Sequence, residues 1–485
     1  MRSRLTIWGL AVAVGSFAGA ALAQGAAPSA TNPAPLRFAS VFGDHMVLQC
    51  DMPVPVWGTG KPGDGVTVTF NRQKVEASVA SNGTWSCRLP ALKPSNRPGV
   101  LAAEARPSGA HAQACDVLVG EVWIASGQAN MEMPMSFTAR SQREIGTANE
   151  WECRFFVAGH ATNAAPQRSV PGEWKVCQSN SISEVSGVAY YFGRDLRRDL
   201  LTPVGLIQCT WGGATSLRDW MPPSPIESAP VPRILLRQDD PRHPRDAAPL
   251  SPAWLYQGMI APLCPFAFRG VIWYQGETET LPPRDVRVLF AALIRSWRQA
   301  WGRDFPFLFA QLSAHKTLSP ALREAQLQTW RSVPETAMVV TTDIGGPKSI
   351  VPKKKEAVGW RLERAALAVA YGRKIEYSGP VYESVAFAQG RAILRFSHVG
   401  DGLVAKDRPL QGFEIAGSDR HFKPAVATIE ADTVAVTGAD VKDPVAVRYG
   451  WANVPDGNLF NRNGFPASPF RTDDWEEAPA KPSSE

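Results

Sequence analysis

Four short motifs hold the polar residues of this chain whose types and spacing could do chemistry. They are Gly-Gln-Ala-Asn-Met (Gly127–Met131), the Gly-rich Trp211–Trp220, Trp-Tyr-Gln-Gly-Glu-Thr-Glu (Trp273–Glu279), and Asp343–Pro352. Each follows an apolar run, which puts it at the carboxyl end of a strand. In an open parallel sheet ligands collect at those ends. Side-chain amides at Gln128, Asn130 and Gln275 and the backbone amide of Gly213 are the kind of groups that stabilise an oxyanion in acyl transfer, and Glu277 sets a carboxylate beside them. A nucleophile would be presented in the first turn, but the residue there is Ala129, whose methyl group cannot attack a carbonyl.

The elements that must position these motifs can be read from periodicity. Apolar strands are expected at Val117–Ala125, Val204–Trp211, Gly270–Gln275, Phe307–Leu312 and Ala337–Thr342. Between them, apolar residues recur at helical spacing: Val185, Val188, Phe192, Leu196 and Leu200; then Val288, Leu289, Leu293, Trp297 and Trp301; then Val358, Leu362, Ala365 and Val369. Strand and helix in alternation predict an α/β domain with a parallel sheet covered on both faces. Short alternating runs with Gly, Pro and Asn before and after it predict flanking β regions.

The expected organisation is a signal peptide at 1–23, a Pro- and Ala-rich leader at 24–35 and an N-terminal β-sandwich at 36–115. The α/β domain follows at 116–375, then a C-terminal β domain at 376–475 and a tail at 476–485. A Pro-rich, charged stretch at 224–252 reads as an insertion. Arg2 and Arg4, the apolar run to Ala21 and the small residues before Gln24 give the signal peptide. They predict export to a periplasmic or secreted location. No later segment reaches the roughly 18 apolar residues of a membrane span.

Composition removes several classes of function. The net charge of +6 is spread along the chain with no aromatic-basic motif, so nucleic acid is not an expected partner. Seven histidines are never at two-ligand helical spacing and seven cysteines show no CxxC, so neither a metal nor another cofactor is expected. Cys153 and Cys177, which flank two apparent strands, are the expected local disulfide if one forms. Trp211 and Trp273 flank the motifs and are candidates for stacking against a sugar.

The motifs resemble the sialate O-acetylesterase family, carbohydrate esterases of the SGNH hydrolase superfamily. The likeness runs from Phe42–Gln49 and Pro53–Gly58 through Tyr256–Leu263, Gly270–Glu277 and Leu322–Gln326 to Val447–Asn453 and Pro466–Trp475. It implies an SGNH-type sheet domain between two β regions and an acetylated carbohydrate as partner. It also implies an ancestral reaction in which a serine attacks an O-acetyl group, a histidine acts as base, and amides hold the oxyanion.

Where the family turn reads Gly-Gln-Ser-Asn-Met, Ala129 takes the serine's place. Where its last motif resembles Asp-Ile-Gly-Asp-Pro-x-Asp-Ile-His-Pro, this chain has Gly346, Ser349 and Val351, and Val351 takes the place of the histidine. The third motif ends Glu277-Thr278-Glu279 instead of Glu-Ser-Asn. The resemblance keeps Gly213, Gln275 and Glu277 as catalytic-site residues and Gln128, Asn130, Trp211 and Trp273 as substrate-binding candidates. These departures predict an impaired or inactive esterase that binds glycan. The alternative is an active esterase with a relocated nucleophile such as Ser216 with His315, which requires contact within about 3.2 Å.

Overall fold

In the computed structural model, residues 35–213, 215–223 and 253–475 are described. The expected signal peptide, the leader but for Pro35, the insertion at 224–252 and the tail lie outside the described residues. The central sheet has seven strands in the order Gly172–Gln178, Asn149–Ala158, Val204–Thr210, His111–Gly127, Gly270–Tyr274, Phe307–Ala310 and Thr336–Val339. The first pair is antiparallel and every later pair parallel. The Val204–Thr210, Gly270–Tyr274, Phe307–Ala310 and Thr336–Val339 strands are buried at every residue, as a sheet covered on both faces requires.

Helices Gly187–Leu200 and Lys355–Val369 pack on one face through Phe192, Leu196, Val358 and Leu362. Pro283–Trp301 and Pro320–Ser332 cover the other. Their ends are set locally. Ser186 and Ser319 cap by accepting from Ala189 N and Leu322 N, and Gly302, at φ 62°, ends the long helix in the left-handed conformation. The buried stripe of Pro283–Trp301 runs through Val286, Leu289, Phe290, Leu293 and Trp297, with the expected Val288 only half-buried.

The expected boundary at Asp116 falls inside one strand of 17 residues, His111–Gly127. Its first part pairs with Ser95–Arg106 and with Val47–Gln49 of the N-terminal β region, and its last part is the middle of the central sheet. Asp116 itself takes φ 52° where the strand changes partners, its carboxylate held by Arg154 at 2.6 Å and His45 at 2.7 Å. The N-terminal region is therefore continuous with the sheet that carries the first motif.

The C-terminal region contains an antiparallel sheet of Val381–Ala388, Arg391–Ser397, Thr433–Thr437 and Val426–Glu430, and a second built around Phe413–Ala416 and Ala446–Tyr449. It docks on the α/β domain through Arg323, which donates to the carbonyls of Ala452 and Asn453 at 2.9 and 2.8 Å. All seven cysteines are free thiols, so the Cys153–Cys177 pairing is not formed. Cys153 instead donates to Gly193 O at 3.5 Å, and burial pushes its thiol well above the usual range.

Candidate active site

Sterics fix the first turn. Gly127 has φ 133°, and a Cβ there would lie 2.2 Å from Tyr274 O, so glycine alone fits. Gln128 N donates to Tyr274 O at 2.9 Å and Trp211 N to Gly127 O at 3.1 Å, pinning the turn between two neighbouring strand ends. The chain then makes the short helix Ala129–Glu132, in which Met131 N and Glu132 N both reach Gln128 O at 2.9 Å.

Gln128 and Asn130 point inward. The Gln128 amide donates to Gly213 O at 2.5 Å, to Thr215 O at 3.3 Å and to the Thr278 hydroxyl, and its oxygen accepts from Gly276 N at 3.3 Å. Gln275 also donates to Thr215 O, at 3.3 Å. Asn130 donates to Glu277 Oε1 and, at 3.0 Å, to Ile350 O, while its oxygen accepts from Lys355 Nζ. Lys355 is 0% and Glu277 7% exposed. Burial pushes the Glu277 carboxyl above its usual range and pulls the Lys355 ammonium down to about 7, each partly opposed by the other. These side chains tie all four motifs together, and they are occupied in doing so.

Ala129 faces the other way. Its methyl lines an open cleft of about 640 Å³ that also takes in Glu132, His160, Gln208, Thr210, Val351 and Lys353. Ala129 and Val351, the two positions at which the chain departs from the Ser and His of the motifs it resembles, thus share one cavity at the carboxyl end of the sheet. Gly213 does not line this cleft; it takes φ 93° with open space where a side chain would stand, and its carbonyl accepts from Gln128 on the inner side.

The remaining candidates lie elsewhere. Trp273 is 1% exposed among Trp220, Trp297, Phe290 and Phe307, so it is a core residue with no face for a sugar. Trp211 is half-buried, and its indole carries the His160 ring at 4.3 Å and 28°. Ser216 donates to Glu279 at 3.2 Å and caps the Leu217–Trp220 turn. His315 bonds Thr317 Oγ1 at 2.9 Å. No hydrogen bond joins Ser216 to His315, and neither lines the Ala129 cleft. Asp343 is held by Arg361 through two contacts of 2.7 Å. Among the described residues there is no cluster of three or more potential metal ligands.

Sequence reasoning missed one pair. His160 Nε2 and Glu132 Oε1 are 2.6 Å apart on the cleft wall. Glu132 can come this close because Gly212 has no Cβ, which would otherwise lie 2.3 Å from its carboxylate. The available signal was position: His160 lies just past the carboxyl end of Asn149–Ala158, a strand of the parallel set, where the other motifs also sit.

The profile of the carbohydrate esterase, sialic acid-specific acetylesterase family matches residues 119–356. The sialate O-acetylesterases of Pongo abelii and Homo sapiens are each 29% identical to this chain over 86% of it and 88% of their own length. A crystal structure of a carbohydrate acetylesterase from Xanthomonas citri is 38% identical, covers 91% of this chain and 100% of its own, and superposes with a TM-score of 0.83. With the fold of that acetylesterase, a matching profile and relatives aligned along most of its length, this chain belongs to the sialate O-acetylesterase family of carbohydrate esterases.

Proposed function

We propose that this protein binds O-acetylated carbohydrate in the Ala129 cleft and has lost the serine–histidine route of its family, so that it is an impaired esterase, a glycan-binding pseudoenzyme with respect to acyl-enzyme chemistry, acting outside the cytoplasm. The observation that carries this reading is the shared cleft: Ala129 and Val351 line it together, and neither has a lone pair to offer. Acyl-enzyme formation needs a nucleophile and a base in contact. Removing both from a serine hydrolase costs about 10⁶ in turnover. Binding needs only shape and polar wall groups, and Gln208, Thr210 and Lys353 remain on the cleft wall. Export is supported by the charge and apolar pattern of residues 1–23.

The test compares acetate release from 4-nitrophenyl acetate and acetylated xylo-oligosaccharides by the native chain and by an Ala129→Ser, Val351→His double variant. The expected result is a double variant that gains at least about 10²-fold, with a burst of acyl-enzyme, over a native chain that forms none. Calorimetric titration with acetylated and deacetylated oligosaccharide measures binding in parallel. A native chain that binds neither would remove the glycan-binding reading.

A further inference from the structure

The Glu132–His160 pair is not needed to hold the cleft together. With side chains 25% and 50% exposed, a carboxylate–imidazole contact of this kind contributes about 0–1 kcal/mol to folding. It is nevertheless held from two sides. The imidazole is fixed edge-on by Glu132 at 2.6 Å and face-on by Trp211 at 4.3 Å. Glu132 lies three residues past Ala129 in the same helical turn, so its side chain shares the face that carries the Ala129 methyl. With Nε2 engaged by Glu132, His160 Nδ1 has no hydrogen-bond partner among the described residues.

We propose that His160 is a general base that activates water for direct attack on an acetyl ester bound in this cleft, with Glu132 as its positioning residue. The inference rests on the reading of the cleft as an acetyl-ester site. Glu132 accepts the Nε2–H, which fixes the tautomer and leaves the Nδ1 lone pair free, the role a carboxylate plays behind the histidine of a hydrolase triad. Nδ1 takes a proton from water as the water oxygen bonds to the carbonyl carbon. The tetrahedral oxyanion then collapses, the bond from the acetyl carbon to the sugar oxygen breaks, and the imidazolium returns the proton to that oxygen. Water and ester give acetate and a free sugar hydroxyl, with no covalent enzyme intermediate and no co-reactant.

This route differs from the lost one in its kinetics as well as its residues. The native chain is expected to show slow, multiple-turnover release of acetate from acetylated xylo-oligosaccharide without a burst. His160→Ala and His160→Asn should each lower that rate about 10²-fold or more, since a general base contributes at least that much. Glu132→Gln should lower kcat by a smaller factor with KM unchanged, and thermal unfolding of all three variants should stay close to the native transition. A native rate equal to buffer would overturn the inference, as would a rate untouched in both His160 variants. Titration of the same oligosaccharide keeps the two readings apart: binding without turnover removes the water route alone, whereas no binding removes the site.

Discussion

The two sides of the Gly127–Met131 turn have had opposite fates. On the inner side Gln128 and Asn130 are fully engaged with Gly213, Thr215, Thr278, Glu277 and Lys355. On the outer side Ala129 presents only a methyl to the cleft. Inner groups cannot change singly, because each buried polar atom left without its partner costs free energy. Outer groups meet solvent or ligand, so chemistry can be lost there without loss of fold. The frame of the turn can thus stay intact whichever side chain the outer position carries.

The strongest way to break this comparison is to remove one member of the inner frame. Glu277→Ala leaves an Asn130 N–H without its acceptor and Lys355 buried without a carboxylate. We expect a loss of about 3–5 kcal/mol in urea unfolding. The double variant Glu277→Ala, Lys355→Met should recover part of it, because the unpaired cation is gone. An unchanged urea midpoint for Glu277→Ala would mean that the frame does not hold the turn.

A second buried carboxyl sharpens the point, because it lacks an ammonium partner of this kind. Glu363 is 2% exposed on the Lys355–Val369 helix, and burial, with the Asp199 charge beside it, pushes its carboxyl from 4.5 up to about 8. The folded state therefore holds a proton that the unfolded chain releases between those values. Its contribution is complete below pH 4.5 and is lost as pH rises to about 8. Glu363→Gln, which cannot ionise, should gain on the native chain across that window, by about 4 kcal/mol at the alkaline end. Asp219, raised by burial to about 7, slopes the same way in both proteins, so the difference between them isolates Glu363. Parallel melting temperatures from pH 5 to 8 would show that Glu363 is already ionised in the fold.

What could be read in the sequence followed from how each signal arises. Strands buried on both faces are continuous apolar runs, so the sheet and the motif at each strand end were legible. The same double burial hid the role of Trp273, since a wholly apolar strand does not say which side chains reach the cleft. The Pro320–Ser332 helix was missed because its buried face includes Arg323, Gln326 and Thr329, whose polarity breaks the apolar stripe. The Glu132–His160 pair was invisible because its members are 28 residues apart and meet only after two strand ends are brought together. Ser216 and His315 lie near motifs in the sequence, but in the fold Ser216 is engaged by Glu279 and His315 by Thr317 of its own loop.

The smallest expected effect completes the comparison. Ala129 is half-buried and opens a helix of one turn, and its side chain meets the cleft rather than the frame. Ala129→Ser adds one hydroxyl that faces solvent and removes no hydrogen bond. Its change in unfolding free energy should stay within about 0.5 kcal/mol, the usual range for a substitution away from core and caps. A single serine with Val351 still opposite gains no base at the position of the family's histidine, so acetate release should stay close to the native rate and show no burst. If Ala129→Ser instead destabilised the protein as much as Glu277→Ala, the outer position would be under the same packing constraint as the inner ones. The alanine would then be part of the frame rather than the mark of a lost nucleophile.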